Sequence, residues 1–350
     1  MLRRFLAFAW LAAIVSGCAP WHKLSGPTRQ VPELRADGLV ASDGAVLPLR
    51  RWGPKVDPRA VVLALHGFND YSRAFAEPAK AFTAARIVTY AYDQRGFGKA
   101  PHKGAWSSVA AMTDDLQTAV RLIRARHPGV PFYIVGESMG AAVVLAAMNQ
   151  DRPQTLADGY VLSAPAVWAR RVMPWWQRVG LEVLAHTLPL LHVTGQGFNR
   201  TPSDNIDMLR KLGRDPLVIK YTRIDALYGL VDLMDAALDA APRLPGNTLV
   251  LFGQKEDIVP NEAMEALLAA LPKEKCVRIV RYRSGYHMLL RDLKADIVLR
   301  DLVAWMEDPA GDLPSGADHL AQSNLSLATQ GSGAASRLAL DCARPIAQRP

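Results

Sequence analysis

The sequence predicts an α/β protein: a doubly wound, mostly parallel sheet interrupted by a helical insertion. Short apolar runs alternate with helically spaced segments along most of the chain, as in βαβ units whose strands are buried on both faces. The alternation fails from about residue 168 to 240, where stretches rich in Trp, Leu and Pro take over, and then resumes. With 350 residues, half of them hydrophobic, the chain has the material for a large core.

The elements follow in order. Residues 37–52, DGLVASDGAVLPLRRW, read as a hairpin turning at Asp43-Gly44. AVVLALHGF (60–68) and RIVTYAYD (86–93) fit buried parallel strands. Residues 107–129 carry helical spacing between a serine start and a Pro-Gly stop. PFYIVGES (131–138) is a strand, a helix begins at Met139, and GYVLSAPAV (159–167) is the next strand. After the insertion come the strand NTLVLFGQKED (247–257), the helix NEAMEALLAALP (261–272), the strand CVRIVRYRSGYH (276–287) and a last helix over 292–308. From Pro309 the composition turns to Gly, Ser, Ala and Pro without apolar period, which predicts a flexible tail over 309–350.

The first 17 residues read as an export signal. Arg3 and Arg4 precede an apolar stretch, Phe5 to Val15, that is too short to span a bilayer and ends in small residues. Val15-Ser16-Gly17-Cys18 resembles the lipobox of bacterial lipoproteins, which implies a lipidated Cys18 at the mature N-terminus and a linker over 18–35. Several acyl chains on one residue anchor firmly, at roughly 0.8 kcal/mol per buried methylene. Ala19 after the cysteine implies outer-membrane sorting in a Gram-negative envelope, facing the periplasm.

The formal charge of +8 falls to +6 once Arg3 and Arg4 are removed. A moderately basic surface suits an anionic membrane face. Nucleic acid is not an expected partner, because no basic run, zinc-ligand spacing or aromatic RNA motif is present. Cys276 and Cys342 could pair in an exported protein, but Cys276 sits in an apolar run, and no disulfide is expected.

Gly136-Glu137-Ser138-Met139-Gly140 carries the chemistry. A Gly-x-Ser-x-Gly pentad alone arises by chance in roughly one chain in ten of this length. Here it closes a strand and opens a helix, the setting of a nucleophile elbow. Glycines permit the tight turn, and the helix starting at Met139 aims unpaired amides at charge developing beside Ser138. Serine needs a base, and His287 follows the last apolar strand. His66 reads as structural, since it precedes a loop glycine. For the orienting acid, Asp257 after the strand 247–257 is assigned, with Glu256 beside it as the competing carboxylate. Ser138, acid and His287 then all lie at carboxyl ends of strands, where sites form in open α/β sheets.

LHGFND, YDQRGFGKAP, GESMG, DPLV (215–218), GQKEDIVP and GYHMLLRD together resemble the α/β-hydrolases, and among them the monoacylglycerol lipase and lysophospholipase group, over about 36–308. The resemblance implies an oxyanion hole from the backbone amides of Phe68 and Met139, a structural Asp93, a helical cap over about 168–240, and no cofactor or metal. Two departures are visible: Glu137 stands where many relatives carry His, and Ala141 replaces a common Gly.

In the cap, a helix starting near Pro174 puts Trp176, Val179, Val183 and Leu184 on one face and Arg178, Glu182 and His186 on the other. Inserted after the strand that follows the nucleophile, it is expected to overhang Ser138. Trp175, Trp176 and Val179 would then line an apolar acyl channel, with Arg170 and Arg171 beside a membrane interface. The expected function is hydrolysis of carboxylic esters of single-chain acyl lipids through an acyl-enzyme. A general carboxylesterase, thioesterase or peptidase, or a non-catalytic binding protein of the same fold, are the alternatives.

Overall fold

The computed structural model describes residues 20–149, 156–195, 200–272 and 277–318. The proposed signal segment, Cys18, Cys276 and Cys342 lie outside them.

A nine-stranded sheet organises the molecule. The strands are β1 (Glu33–Leu34), β2 (Gly38–Val40), β3 (Val46–Trp52), β4 (Ala60–Leu65), β5 (Ile87–Tyr92), β6 (Phe132–Glu137), β7 (Gly159–Ser163), β10 (Thr248–Gly253) and β11 (Val277–Tyr282). Their spatial order is β1-β2-β3-β5-β4-β6-β7-β10-β11. The hairpin turns as its sequence predicts, with Val40 opposite Val46 and Gly44 at φ 87°. From β5 to β11 every pairing is parallel. Strands β4, β5, β6, β7 and β10 are buried at every position, which is why they read as continuous apolar runs and not as alternating ones.

Two cores flank the sheet. One packs Val61, Leu63 and Leu65 of β4 against α2 (Val109–Arg126), α3 (Met139–Ala146), α6 (Ile224–Ala240) and α7 (Asn261–Ala270). The other packs Ala60, Val62 and Ala64 against α1 (Pro78–Ala84) and α8 (Ala295–Glu307). Alternate residues of one strand thus serve opposite faces. Helix α2 starts where its serine announced it, the Ser108 side chain accepting from Ala111 N at 3.1 Å.

Three sequence boundaries move. Helix α6 was expected within the cap, but Leu233, Ala237 and Leu238 are fully buried in the core beside α3. The cap proper is therefore α4 (Trp175–Thr187), α5 (Ile206–Arg214) and the two-residue strands β8 (His192–Val193) and β9 (Thr222–Arg223), which are too short to leave a pattern. At the other end the domain continues past residue 308. Leu313 and Ala317 are buried, Arg278 binds the carbonyls of Pro309 and Gly311, and Asp318 pairs with Arg278. Residues 20–35 are docked too: Lys23 N donates to Trp106 O, and Arg29 N to Ser42 O, both at 2.7 Å.

Candidate active site

Ser138 stands between β6 and α3 at φ 52° and ψ −113°, a left-handed conformation rarely adopted by a residue with a side chain. Its neighbours explain why two glycines bracket it. A Cβ on Gly136 would lie 2.5 Å from Ala141 Cα, and one on Gly140 would lie 2.2 Å from Leu65 O. Helix α3 can press against β4 and its own strand only if both positions lack side chains. Backbone bonds fix the strained turn: Ser138 N donates to Ser163 O at 2.9 Å, and Ser138 O accepts from Ala142 N and Ala166 N, each at 3.1 Å.

The loop after β4 comes up beside the serine. A Cβ on Gly67 would sit 3.4 Å from Ser138 Cβ, so the adjacent Phe68 amide belongs to the same small volume. Met139 opens α3, where the first amides have no intrahelical acceptor. The Phe68 ring is braced edge-on by Phe97, with Trp106 behind. Asn69 ties this loop to the cap, donating to Thr222 Oγ1 at 2.7 Å while its carbonyl accepts from Ile219 N.

The histidine settles the choice of acid. His287 Nδ1 lies 2.7 Å from Glu256 Oε2, and both side chains are buried. Asp257, the residue assigned from the sequence, turns the other way and accepts from Thr201 N at 3.0 and 3.2 Å. The backbone gives the reason. The ends of β10 and β11 touch so closely that a Cβ on Gly253 would meet Gly285 O at 2.2 Å, and Lys255 N donates to Gly285 O. That contact curls the loop so that residue 256 faces His287. The other carboxylate oxygen of Glu256 accepts from Ile258 N and Val259 N.

These contacts set the charges. Burial pushes the His287 pKa down, but the hydrogen bond and charge of Glu256, with Glu137 adding to them, raise it above the ordinary histidine value. Burial pushes Glu256 up, and the His287 contact with the two amides brings it below the usual carboxylate range. The pairing favours the carboxylate of Glu256 and stabilises the imidazolium that forms once His287 has taken a proton, as suits a base and its orienting acid. With Nδ1 occupied, Nε2 is the ring nitrogen left for a proton from substrate or nucleophile.

A half-buried serine at a strand-to-helix elbow, with a carboxylate-held histidine on a doubly wound sheet, agrees with the family comparison. The Hydrolase_4 family model, described as serine aminopeptidase, S33, matches residues 56–294. The chain belongs to that family. It is 28% identical over 261 residues to a monoacylglycerol lipase of Mycolicibacterium smegmatis, covering 73% of this chain and 90% of the relative. A monoglyceride lipase of Rattus norvegicus is 26% identical over 292 residues, covering 81% and 94%. Among solved structures, that of Paleococcus ferrophilus monoacylglycerol lipase superposes with a TM-score of 0.60 at 24% identity, covering 74% of this chain and 98% of that one. A soluble variant of Saccharomyces cerevisiae monoglyceride lipase, in complex with a substrate analogue, gives 0.64 at 19%, covering 83% and 98%. The chain is thus a monoacylglycerol lipase-like α/β-hydrolase of the lipase and esterase kind.

Other expectations for this hydrolase divide. Asp93 is structural, accepting from Ser72 N and Lys99 N. So is His66, whose Nε2 accepts from Gln94 N at 3.0 Å. Glu137 is buried and bound by Arg291, so its charge is not presented to a pocket unopposed. The cap residues were misplaced. Trp175, Trp176 and Val179 are 69, 59 and 49% exposed, and the one buried residue of α4 is Ala185. The apolar stripe therefore faces outward and does not line the site. Arg170 and Arg171, expected at a membrane face, are paired with Asp232, Asp235 and Asp239 of α6.

The cleft between Phe68, Trp106, Ile219 and Ala226 has about 10 Å³, room for about one water molecule. A cavity of about 1200 Å³ lies elsewhere, between α1, α5 and α8, and reaches inward to Asp70 and Arg291.

Proposed function

We propose that this hydrolase cleaves carboxylic esters of single-chain acyl lipids, monoacylglycerols or lysophospholipids, through an acyl-enzyme on Ser138. The observations that carry the reading are the 2.7 Å contact of His287 Nδ1 with Glu256 and the positive φ of Ser138 at the turn from β6 to α3. Ser138 Oγ attacks the ester carbonyl and gives its proton to His287 Nε2. Glu256 keeps the tautomer and stabilises the cation. The amides of Phe68 and Met139 receive the oxyanion, each worth on the order of 10²–10³-fold in rate. Collapse expels the alcohol, which takes the proton from His287. Water then attacks the acyl-enzyme with His287 as base, and fatty acid and free Ser138 result.

Three observations support the substrate class. The two curated relatives above are named as monoacylglycerol and monoglyceride lipases. Helix α4 presents an uncovered apolar stripe, Trp175, Trp176, Val179 and Val183. The chain just after Cys18 is held on the cap side, with Trp21 between Lys23 and Arg223 of β9, at 4.1 and 5.3 Å from its ring centroid. Lipidation of Cys18 would then hold the hydrolase on a bacterial envelope membrane with α4 near the lipid.

The test is a panel of monoacylglycerols, lysophospholipids and short p-nitrophenyl esters, run on wild type and Ser138→Ala. Preference for long single-chain lipids with complete loss in Ser138→Ala is expected; preference for short esters would replace the lipid reading with a general esterase. Feeding a labelled fatty acid to an expressing bacterium should label wild type and not Cys18→Ser, and unlabelled wild type would contradict the anchor.

A further inference from the structure

The residue that joins the catalytic loops lies outside the triad. Arg291 is buried, with 7% of its side chain exposed, and is gripped by two buried carboxylates. Its Nη1 donates to Asp70 Oδ2 at 2.7 Å, and its Nη2 to both oxygens of Glu137 at 3.1 and 3.2 Å. The positions of these three residues in the chain matter more than the bonds themselves. Asp70 follows Phe68 by two residues, Glu137 directly precedes Ser138, and Arg291 follows His287 by four. One guanidinium therefore reaches each of the three loops that carry the oxyanion amide, the nucleophile and the base.

We propose that Arg291 is a positioning residue: through Asp70 and Glu137 it holds the oxyanion loop, the serine elbow and the histidine loop in catalytic register. The inference rests on the serine-hydrolase reading of the site. A planar, forked cation suits the task, because it sets angles as well as distances between two carboxylates. Stability alone is a weak reason for the arrangement, since desolvating three charges offsets much of their attraction. The Arg291 loop is itself stiffened from its own side. Arg291 N and Asp292 N both donate to Met288 O, and Asp292 accepts from Tyr286 N and from Ser203 Oγ. The guanidinium thus transmits the position of the His287 loop to the elbow.

The same residues act on the base through charge. The groups bearing on His287 are Glu256 from the loop after β10, Glu137 from the end of β6, and Arg291 from its own loop. Glu137 favours the imidazolium and Arg291 opposes it. Glu137→Gln therefore lowers the pH at which the base loses its proton, whereas Arg291→Lys keeps the charge and loses only the fork.

The experiment measures kcat and KM for a short soluble ester against pH, with fluorophosphonate labelling rates and thermal midpoints, for wild type, Glu137→Gln, Arg291→Lys and the triple variant Asp70→Asn/Glu137→Gln/Arg291→Met. The triple variant replaces the buried charges together and guards against simple unfolding. Misplacement by about 1 Å can cost on the order of 10²-fold in rate. The expectation is that Arg291→Lys and the folded triple variant lose kcat and labelling rate to that degree with KM little changed. Glu137→Gln should move the acid limb of kcat/KM to lower pH, and Arg291→Lys should leave it in place. Folded variants that label and turn over at the wild-type rate, or an acid limb unmoved by Glu137→Gln, would overturn the proposal while leaving the hydrolase reading intact. Failure of the wild type itself to label would overturn both.

Discussion

The loops at the carboxyl ends of the strands and the cap above them are built on different terms. At the strand ends, backbone presses on backbone: Gly140 against Leu65, Gly253 against Gly285 and Gly136 against Ala141. Side chains there have one direction in which to point. In the cap, α4 buries a single residue, and the connection to the site runs through a few hydrogen bonds such as Asn69 to Thr222 and Tyr71 to Asp215. Rigid positioning is concentrated around Ser138 and His287, where the proposed function puts the covalent chemistry. The looser layer is the cap, and on the proposed function substrate would enter past it, in keeping with the low local stability expected of moving elements.

Glu256 and Asp257 show the contrast between adjacent residues. Glu256 belongs to the strand-end apparatus, while Asp257 belongs to the cap, holding Thr201 N and lending its carbonyl to Arg200. Exchange of the two carboxylates for amides gives the largest expected difference. Glu256→Gln should lose about 10⁴-fold in kcat, the scale for a histidine left in the wrong tautomer, whereas Asp257→Asn should lose less than about tenfold. A large loss in Asp257→Asn with near-normal Glu256→Gln would reverse the assignment. The pH profile sharpens the same comparison. Because His287 holds its proton to higher pH than an ordinary imidazole, the wild-type kcat/KM should fall on the acid side with a midpoint above about 6.5. In the residual activity of Glu256→Gln that midpoint should move down; an unmoved limb would detach Glu256 from the titration.

The smallest effect belongs to the cap surface. Trp175→Ala/Trp176→Ala should leave turnover of a short soluble ester unchanged and reduce hydrolysis of a long-chain monoacylglycerol in vesicles several-fold, because both rings face outward. Equal losses on both substrates would place the tryptophans in the reaction site and contradict their exposure.

The same division decides what the sequence revealed. The buried parallel strands, the hairpin turn and the serine elbow were legible because each rests on local constraints: apolar runs, a positive-φ glycine, small residues at close approaches. The acid was legible only as a pair of candidates. Which of two neighbouring carboxylates meets His287 depends on how the β10 and β11 loops abut across 31 residues of chain, and Gly253 and Gly285 are the one local signal of that contact. Arg291 was missed for a related reason. Its partners are 154 and 221 residues away in the chain, and an arginine near a catalytic histidine carries no pattern of its own. The outward face of α4 misled because an apolar stripe at helical spacing is read as a buried one.

The central claim is that Ser138 is a nucleophile activated by a Glu256-held His287. Its most direct test is reaction with a fluorophosphonate, followed by intact mass and peptide mapping. One adduct per chain, mapped to Ser138, absent in Ser138→Ala and formed orders of magnitude more slowly in Glu256→Gln but not in Asp257→Asn, is the predicted result. An adduct on any other residue, or labelling in Ser138→Ala equal to wild type, would contradict it.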